Sequence, residues 1–281
     1  MFKIVLSRRL NPQVKLICVE APLIAKKTKP GQFVMLRIDE KGERIPLTIA
    51  DSDAEKGTIT LVFQEIGKTT MQLGTLGEGD SLADVVGPLG LPSELSGLKR
   101  VCVVGGGLGC AIAYPQAKAL SAMGAEVDMI AGFRNKDLIF FEDEMRSVSK
   151  RLVVATDDGS NGNKGLVTDY LKKFIDENPA YDAVIAIGPL VMMKYVSLTT
   201  KPYGIKTIVS MNPLMIDGTG MCGGCRVTVG GETKFACVDG PDFDAHEVDF
   251  DLLLKRGAFY LDEEAEENKH ICKMTGGKRN G

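Results

Sequence analysis

The sequence predicts a multidomain chain: a small antiparallel β-barrel, then an α/β doubly wound domain on a parallel sheet, then a small cysteine-bearing module. Three observations predict it. Up to about residue 95, short apolar stretches are punctuated by Gly, Pro, Asp and Lys, and several alternate apolar with polar residues. From Lys99, strand-like and helix-like stretches alternate at a steady pace. Beyond residue 211, three of the seven cysteines fall within sixteen positions. With 281 residues, the chain has room for such an arrangement, with expected boundaries at 1–96, 97–210, 211–250 and a helix or tail over 251–281.

The barrel strands are read in KIVLSRRL, QVKLICVEA, QFVMLRI, IPLTIAD, TITLVFQEI and SLADVVGPLG. Six such segments with turn residues between them suit a small antiparallel barrel. KRVCVVGGG is then a buried strand running into a glycine turn, followed by a helix over AIAYPQAKALSAMG. AEVDMIAGF, RLVVATDDG, YDAVIAIGP and GIKTIVSMN continue the strands. KDLIFFEDEMRSV, LVTDYLKKFID and VMMKYVSLT are the intervening helices. Alternation at this spacing demands right-handed crossovers and a parallel sheet with helices on both faces.

Composition narrows the function classes. The formal net charge of −3 offers no basic field for nucleic acid or an anionic membrane. No stretch approaches the ~20 apolar residues of a membrane span, and MFKIVLSRRL lacks the apolar core of an export signal. A cytoplasmic protein is therefore expected, with its cysteines serving as reduced thiols or ligands. Cys18, Cys102, Cys110 and Cys272 are scattered and read as small buried hydrophobes.

Three regions carry candidate chemistry. In VVGGGLGCA, Gly105, Gly106, Gly107, Leu108 and Gly109 lie between a strand and a helix, where backbone N–H groups can approach a pyrophosphate. No acidic residue closes the second strand. Arg134 stands in that region, placed either to meet a ribose phosphate or simply to be solvated. Asp157 and Asp158, with Gly188 and Pro189, end other strands at the same sheet edge, where ligands of open parallel sheets bind. The two aspartates equally suit helix entry.

In the barrel, RIPLTIAD (Arg44 to Asp51) sets an arginine, a proline and a threonine at a strand start, and EIGKTTMQL sets Gly67, Thr69 and Thr70 before a short helix. These parts suit a flat anionic ligand, and equally an edge strand and a helix cap. In DGTGMCGGC and its continuation, Cys222, Cys225 and Cys237 form a metal-type spacing. Zinc would take three thiolates with Asp217 or His246 as the fourth ligand. An iron–sulfur cluster would take Asp217, because D-x4-C-x2-C reproduces the plant-type C-x4-C-x2-C pattern with one substitution.

PGQFVML, RIPLTIAD, EIGKTT, GPLG and VVGGGLG occur here in the order found in the ferredoxin–NADP reductase superfamily of flavoproteins. TDDG, GP followed by MMK, the D-x4-C-x2-C-x11-C run and VDGPDF narrow the resemblance. The chain resembles, from residue 1 to about 250, the electron-transfer subunits of dihydroorotate dehydrogenase and their relatives. Those relatives include the small subunits of electron-bifurcating NADH-dependent ferredoxin:NADP oxidoreductases.

The resemblance implies FAD in the barrel, along Arg44, Pro46, Leu47 and Thr48. Val62, Phe63 and Gln64 match a second FAD-contacting strand, and Gly67, Thr69 and Thr70 a phosphate turn. It implies NAD(H) between the domains, passing hydride to the flavin, and a [2Fe-2S] cluster on Asp217, Cys222, Cys225 and Cys237. It also implies a larger partner subunit carrying flavin, [4Fe-4S] clusters and the NADP(H) site, through which ferredoxin is met indirectly. No side chain of this chain is expected to be catalytic, the chemistry residing in FAD and the cluster. Aspartate rather than cysteine at 217 favours the bifurcating branch over transfer to orotate.

Overall fold

In the computed structural model, residues 1–178 and 180–258 are described. The first sheet is formed by β1 (Phe2–Arg9), β2 (Val14–Glu20), β3 (Phe33–Arg37), β4 (Ile45–Asp53), β5 (Thr58–Gln64), β6 (Ser81–Leu82) and β7 (Asp84–Leu89). Its order is β6-β1-β2-β5-β4-β3-β7, with antiparallel pairings throughout. The two outermost strands, β6 and β7, are separated by the single residue Ala83, so the sheet curls until its ends meet as a nearly closed barrel. The last expected strand thus divides in two where the chain passes from one edge to the other.

Alternation decides what fills the barrel. Ile4, Ile17, Leu36, Ile59, Leu61 and Phe63 point inward and are sealed from solvent, joined by Leu73 and Leu82. Each such side chain contributes about 1.5–3 kcal/mol on burial. Leu73 comes from α2 (Lys68–Thr75), which plugs one end, while α1 (Pro22–Ala25) is a single turn starting on proline.

The second sheet uses β8 (Arg100–Gly106), β9 (Glu126–Phe133), β10 (Arg151–Thr156), β11 (Ala183–Ile187), β12 (Thr207–Ser210) and β15 (Asp242–Asp244). Its order, β10-β9-β8-β11-β12-β15, is the doubly wound arrangement, parallel except for the antiparallel edge strand β15. The crossovers carry α3 (Gly109–Ala122), α4 (Glu142–Val148), α5 (Val167–Glu177) and α6 (Leu190–Thr200). α5 buries Val167, Leu171, Phe174 and Ile175, one face of a 3.6-residue period. In α3 the small residues Ala111, Ala113 and Ala117 let the helix lie close on its strands.

The helix expected over KDLIFFEDEMRSV is broken. A 3₁₀ turn at Lys136–Leu138 precedes α4, and Phe141 between them takes φ +58. Phe140 and Phe141 each pack edge-on against another ring, Phe133 and Tyr114 respectively, which holds the chain out of helical register there.

Residues 212–241 leave β12 and return as β15. Within them β13 (Arg226–Val229) and β14 (Glu232–Phe235) form a hairpin turned by Gly230 and Gly231, both at positive φ. α7 (Phe250–Gly257) then packs on α6. The remainder of the expected tail, Cys272 included, lies outside the described residues. Of the scattered cysteines, Cys102 and Cys110 are buried and Cys18 half-buried. Among the described residues no helix is long and apolar enough to cross a membrane.

Two cores join the modules. Val14, Leu16, Ala50 and Val62 on the barrel's outer face pack with Leu95, Val101, Cys110 and Ala111. Phe33 and Met35 of the barrel share a second core with Met215, Cys225, Val227, Ala236 and Cys237 of the cysteine module.

Candidate flavin, nucleotide and cluster sites

The barrel ladder stops short between β4 and β5. The β4–β5 ladder runs between Ile49↔Leu61 and Asp53↔Thr58, with a bulge, and goes no further. Beyond it Ile45–Thr48 pair with β3 alone, and Val62–Gln64 pair with β2. The strands part, leaving backbone edges of Pro46, Leu47 and Thr48 toward those of Val62, Phe63 and Gln64. Pro46, which has no N–H to give, is tolerated where no second ladder asks for one. All six residues were picked out in the sequence, and the structure places them on the two lips of one gap. Phe63 is the exception in kind: its ring is fully buried in the barrel core, so only its backbone faces the gap.

At the end of the gap lies the N-terminus of α2. Thr70 Oγ1 accepts the N–H groups of Ile66 and Gly67 at 3.2 and 3.0 Å and donates to Gly67 O at 3.0 Å. Its hydroxyl therefore builds the turn. Thr69 Oγ1 donates to Glu43 Oε2 at 3.1 Å, tying the turn to the residue beside the exposed Arg44. Glu43 went unremarked in the sequence, since a lone acid in a loop gives no periodic signal.

The glycine turn stands at the carboxyl edge of the parallel sheet. Gly107 takes φ +54 and donates its N–H to Gly132 O at 2.8 Å. A Cβ on Gly109 would lie 2.1 Å from Ile187 O, and one on Gly106 2.4 Å from Met192 Sδ. The backbone thus runs against the end of β11, where Gly188 and Pro189 sit, so Gly105–Gly109 and Gly188–Pro189 form one rim. Arg134 is exposed on the neighbouring loop, to which Asp157 N and Asp158 N donate through Phe133 O and Arg134 O. The helix-entry reading of the two aspartates does not hold, for α5 begins only at Val167. Asp158 instead caps a turn: hydrogen bonds from Ser160 hold its carboxyl below the ordinary range.

In the cysteine loop, Cys225 and Cys237 are buried with their sulfurs 3.1 Å apart. Burial, with the adjacent Cys225 thiol competing for ionisation, pushes the Cys237 thiol up to about 12. Cys222 is exposed, and its Sγ accepts from Gly224 N at 3.4 Å. Asp217 accepts the N–H groups of Thr219 and Cys222, both at 2.8 Å, and these hold its carboxyl ionised below the ordinary range. Among the described residues, no three His, Cys, Asp or Glu groups converge as a ready-made metal site. The donor set itself suits iron: an anionic carboxylate and two thiols on the loop before β13, where Gly218, Gly220 and Gly223 turn at positive φ, and a third thiol just after β14. His246 is elsewhere, bonded to Thr200 Oγ1 at 3.1 Å. Gly218 lies against the barrel, where a Cβ would be 2.8 Å from Met35 Cγ and 3.0 Å from Leu89 Cδ1.

A split barrel, a doubly wound domain and a cysteine loop in this order define an oxidoreductase electron-transfer protein of the ferredoxin–NADP reductase fold. The iron–sulfur cluster binding domain of dihydroorotate dehydrogenase B matches residues 212–249, which contain all four proposed ligands. A dihydroorotate dehydrogenase B (NAD(+)) electron transfer subunit homolog of Thermotoga maritima is 48% identical over 92% of this chain and 91% of its own. The electron transfer subunit of Geobacillus thermodenitrificans is 33% identical, covering 87% and 96%. The solved structure of an NADH-dependent reduced ferredoxin–NADP oxidoreductase superposes with a TM-score of 0.90 at 45% identity, over 96% of this chain and 98% of that one. The chain belongs to the family of dihydroorotate dehydrogenase B electron transfer subunits and their homologues. It is an oxidoreductase subunit with an iron–sulfur cluster binding domain.

Proposed function

We propose that this chain exchanges hydride between NAD(H) and a bound FAD, and single electrons through a [2Fe-2S] cluster with a larger partner subunit, in an electron-bifurcating NADH-dependent ferredoxin:NADP oxidoreductase. The observation that carries it is the seat of the cysteine loop. Gly218 touches Met35, and Met35 pairs directly with Pro46 on the lip of the barrel gap. A flavin held along that gap and a cluster held by that loop would thus flank the neighbouring strands β4 and β3, the closeness that electron transfer needs.

A bound FAD would supply the conversion between two-electron and one-electron transfer, and a [2Fe-2S] cluster one-electron carriage. The protein supplies position and electrostatics. Pro46, Leu47 and Thr48 with Val62, Phe63 and Gln64 offer backbone groups along both edges of the ring system. Arg44, Gly67, Thr69 and Thr70 meet the FAD phosphates with a cation and the positive end of α2. Gly105, Gly106, Gly107, Leu108 and Gly109 receive the NAD(H) pyrophosphate, with Gly188 and Pro189 beside the nicotinamide. Arg134, Asp157 and Asp158 rim the ribose end. Asp217, already ionised, and Cys222, Cys225 and Cys237, which would give up their thiol protons, would ligate iron.

The partner reading is supported by Leu214, Ile216, Met221 and Val238. These apolar side chains stand exposed around the loop, 39% to 89% accessible, where a docked subunit would cover them. The partner would carry a second flavin, [4Fe-4S] clusters and the NADP(H) site, with ferredoxin reached through it, in the cytoplasm. A second reading, NADH to orotate with a dihydroorotate dehydrogenase catalytic subunit, is favoured by the names of the relatives above.

Anaerobic purification with optical and EPR spectra, metal counts and identification of copurifying chains tests the proposal. Flavin, iron in the ratio of a [2Fe-2S] cluster and a large flavoprotein are expected. Orotate reduction dependent on an added catalytic subunit would decide for the second reading. Zinc without iron, and no flavin absorbance, would refute both.

A further inference from the structure

One buried carboxyl takes no part in any of these sites. Asp242 opens β15 and pairs with Ser210 at the end of β12. Its Oδ2 accepts from Ser93 Oγ at 2.5 Å and lies 3.4 Å from Gln116 Nε2. Ser93 belongs to the linker leaving the barrel, Gln116 to α3 of the nucleotide domain, and Asp242 to the strand returning from the cysteine module. Three modules therefore meet at one carboxyl. Backbone bonds from Leu91 to Gly240 O and from Met211 to Pro241 O clamp the same corner.

The hydrogen-bond accounting there does not close with an ionised aspartate. Gln116 is fully buried, and its Oε1 has no partner. Asp242 Oδ1 is sealed from solvent and has no partner either. Both are acceptors. Two orphan acceptors on side chains that already approach each other at 3.4 Å are costly, and a proton on Asp242 would let it donate to Gln116. Ser93 faces the carboxyl from the linker, Ser210 from β12 and Gln116 from α3. None of these titrates, and among the described residues no charged side chain acts on Asp242.

We propose that Asp242 is a proton-binding site: its carboxyl is neutral in the folded protein at neutral pH and donates Oδ1–H to Gln116 Oε1, pinning the returning strand of the cysteine module to the nucleotide domain. Ionisation leaves a bare charge facing a bare acceptor at this corner, so the seat of the module weakens as the proton is released to solvent. Burial acts in the same direction, pushing the carboxyl up from its ordinary range against the hydrogen bond of Ser93 and the pull of the nearby Ser210 hydroxyl.

The pH dependence has a definite sign. With the folded pKa raised, the native state keeps a proton that the unfolded chain has released, so stability is fully present below the unfolded value and falls as pH rises toward the folded one. Asp242→Asn copies the neutral acid: its amide donates to Gln116 and its oxygen accepts from Ser93. In denaturant unfolding of the complete, cofactor-loaded protein, the wild-type unfolding constant divided by that of Asp242→Asn should rise about tenfold per pH unit above about pH 4, then level off at the raised pKa. A ratio that falls with rising pH marks an ionised carboxylate and overturns the proposal, as does a flat one.

Infrared spectra of the wild-type protein at neutral pH supply a second readout that needs no Asn variant. A protonated-carboxyl C=O band that moves with ¹³C labelling of aspartate and shifts in Gln116→Leu is expected. Absence of that band, or its indifference to Gln116→Leu, rejects the proton.

Discussion

Asp217 and the three cysteines show what individual residues reveal in advance. Their spacing predicts a metal-type ligand set; in the structure Asp217, Cys222 and Cys225 precede the β13–β14 hairpin and Cys237 follows it, with the Cys225 and Cys237 sulfurs 3.1 Å apart. Cys225→Ala should abolish the cluster's EPR signal and electron delivery to the partner while leaving NADH-to-flavin reduction intact. Asp217→Cys should retain a cluster with a changed signal; unchanged spectra in both variants would disprove the assignment. Other residues were legible only as types. Phe63 sits in the strand proposed to run along the flavin, yet its ring fills the barrel, and Phe63→Ala should lower stability by about 3–5 kcal/mol in urea unfolding, with weakened flavin binding as the proposed consequence. Asp182 gave no signal at all, because its partners are the backbone N–H groups of Lys99 and Arg100, at 2.7 and 2.8 Å, from a distant stretch. These bonds depress its pKa, so their contribution exists above the unfolded value and is lost as pH falls through the lower, folded one. Asp182→Ala should lose about 0.5–1 kcal/mol at neutral pH, a modest figure because the group is exposed. The difference from wild type should shrink below about pH 4 in the same measurement.

Elements were legible wherever period and punctuation agreed. The parallel strands and most crossover helices follow directly, since buried apolar runs between glycine turns leave few alternatives. The helix over 136–148 failed because aromatic packing of Phe140 and Phe141 outweighs local propensity, a contact between elements that no window of sequence contains. The divided last barrel strand failed for a related reason: barrel closure, a property of the whole sheet, decides where it breaks. The glycine turn makes a sharper test of element geometry. Gly109→Ala should cost about 3 kcal/mol, since the new methyl meets the Ile187 carbonyl at 2.1 Å and must push α3 off β11. Gly107→Ala meets nothing within 4 Å and should cost only about 1–2 kcal/mol for its left-handed backbone. Urea midpoints and NADH affinity measured on both variants separate crowding from backbone strain.

For the whole molecule, the sequence carried the order of the modules but not their contacts. The parting of β4 from β5 and the seat of Gly218 on Met35 depend on register and docking, which no motif encodes. Met35→Ala should therefore leave the ligand loop its turn and slow transfer between the two proposed cofactors, because the contact of Gly218 with Met35 is lost. Freeze-quenched EPR after an NADH pulse measures that rate, and an undiminished rate would remove the contact from the electron path. The neighbouring strands β12 and β15 carry a further consequence. They pair antiparallel, Ser210 opposite Asp242, which makes the cluster-bearing segment the loop of one long hairpin. Its two ends meet whatever lies between them, and loop-closure entropy grows only slowly with length. A reductase could thus acquire, enlarge or exchange its one-electron outlet at a single point on the sheet margin without re-threading its core.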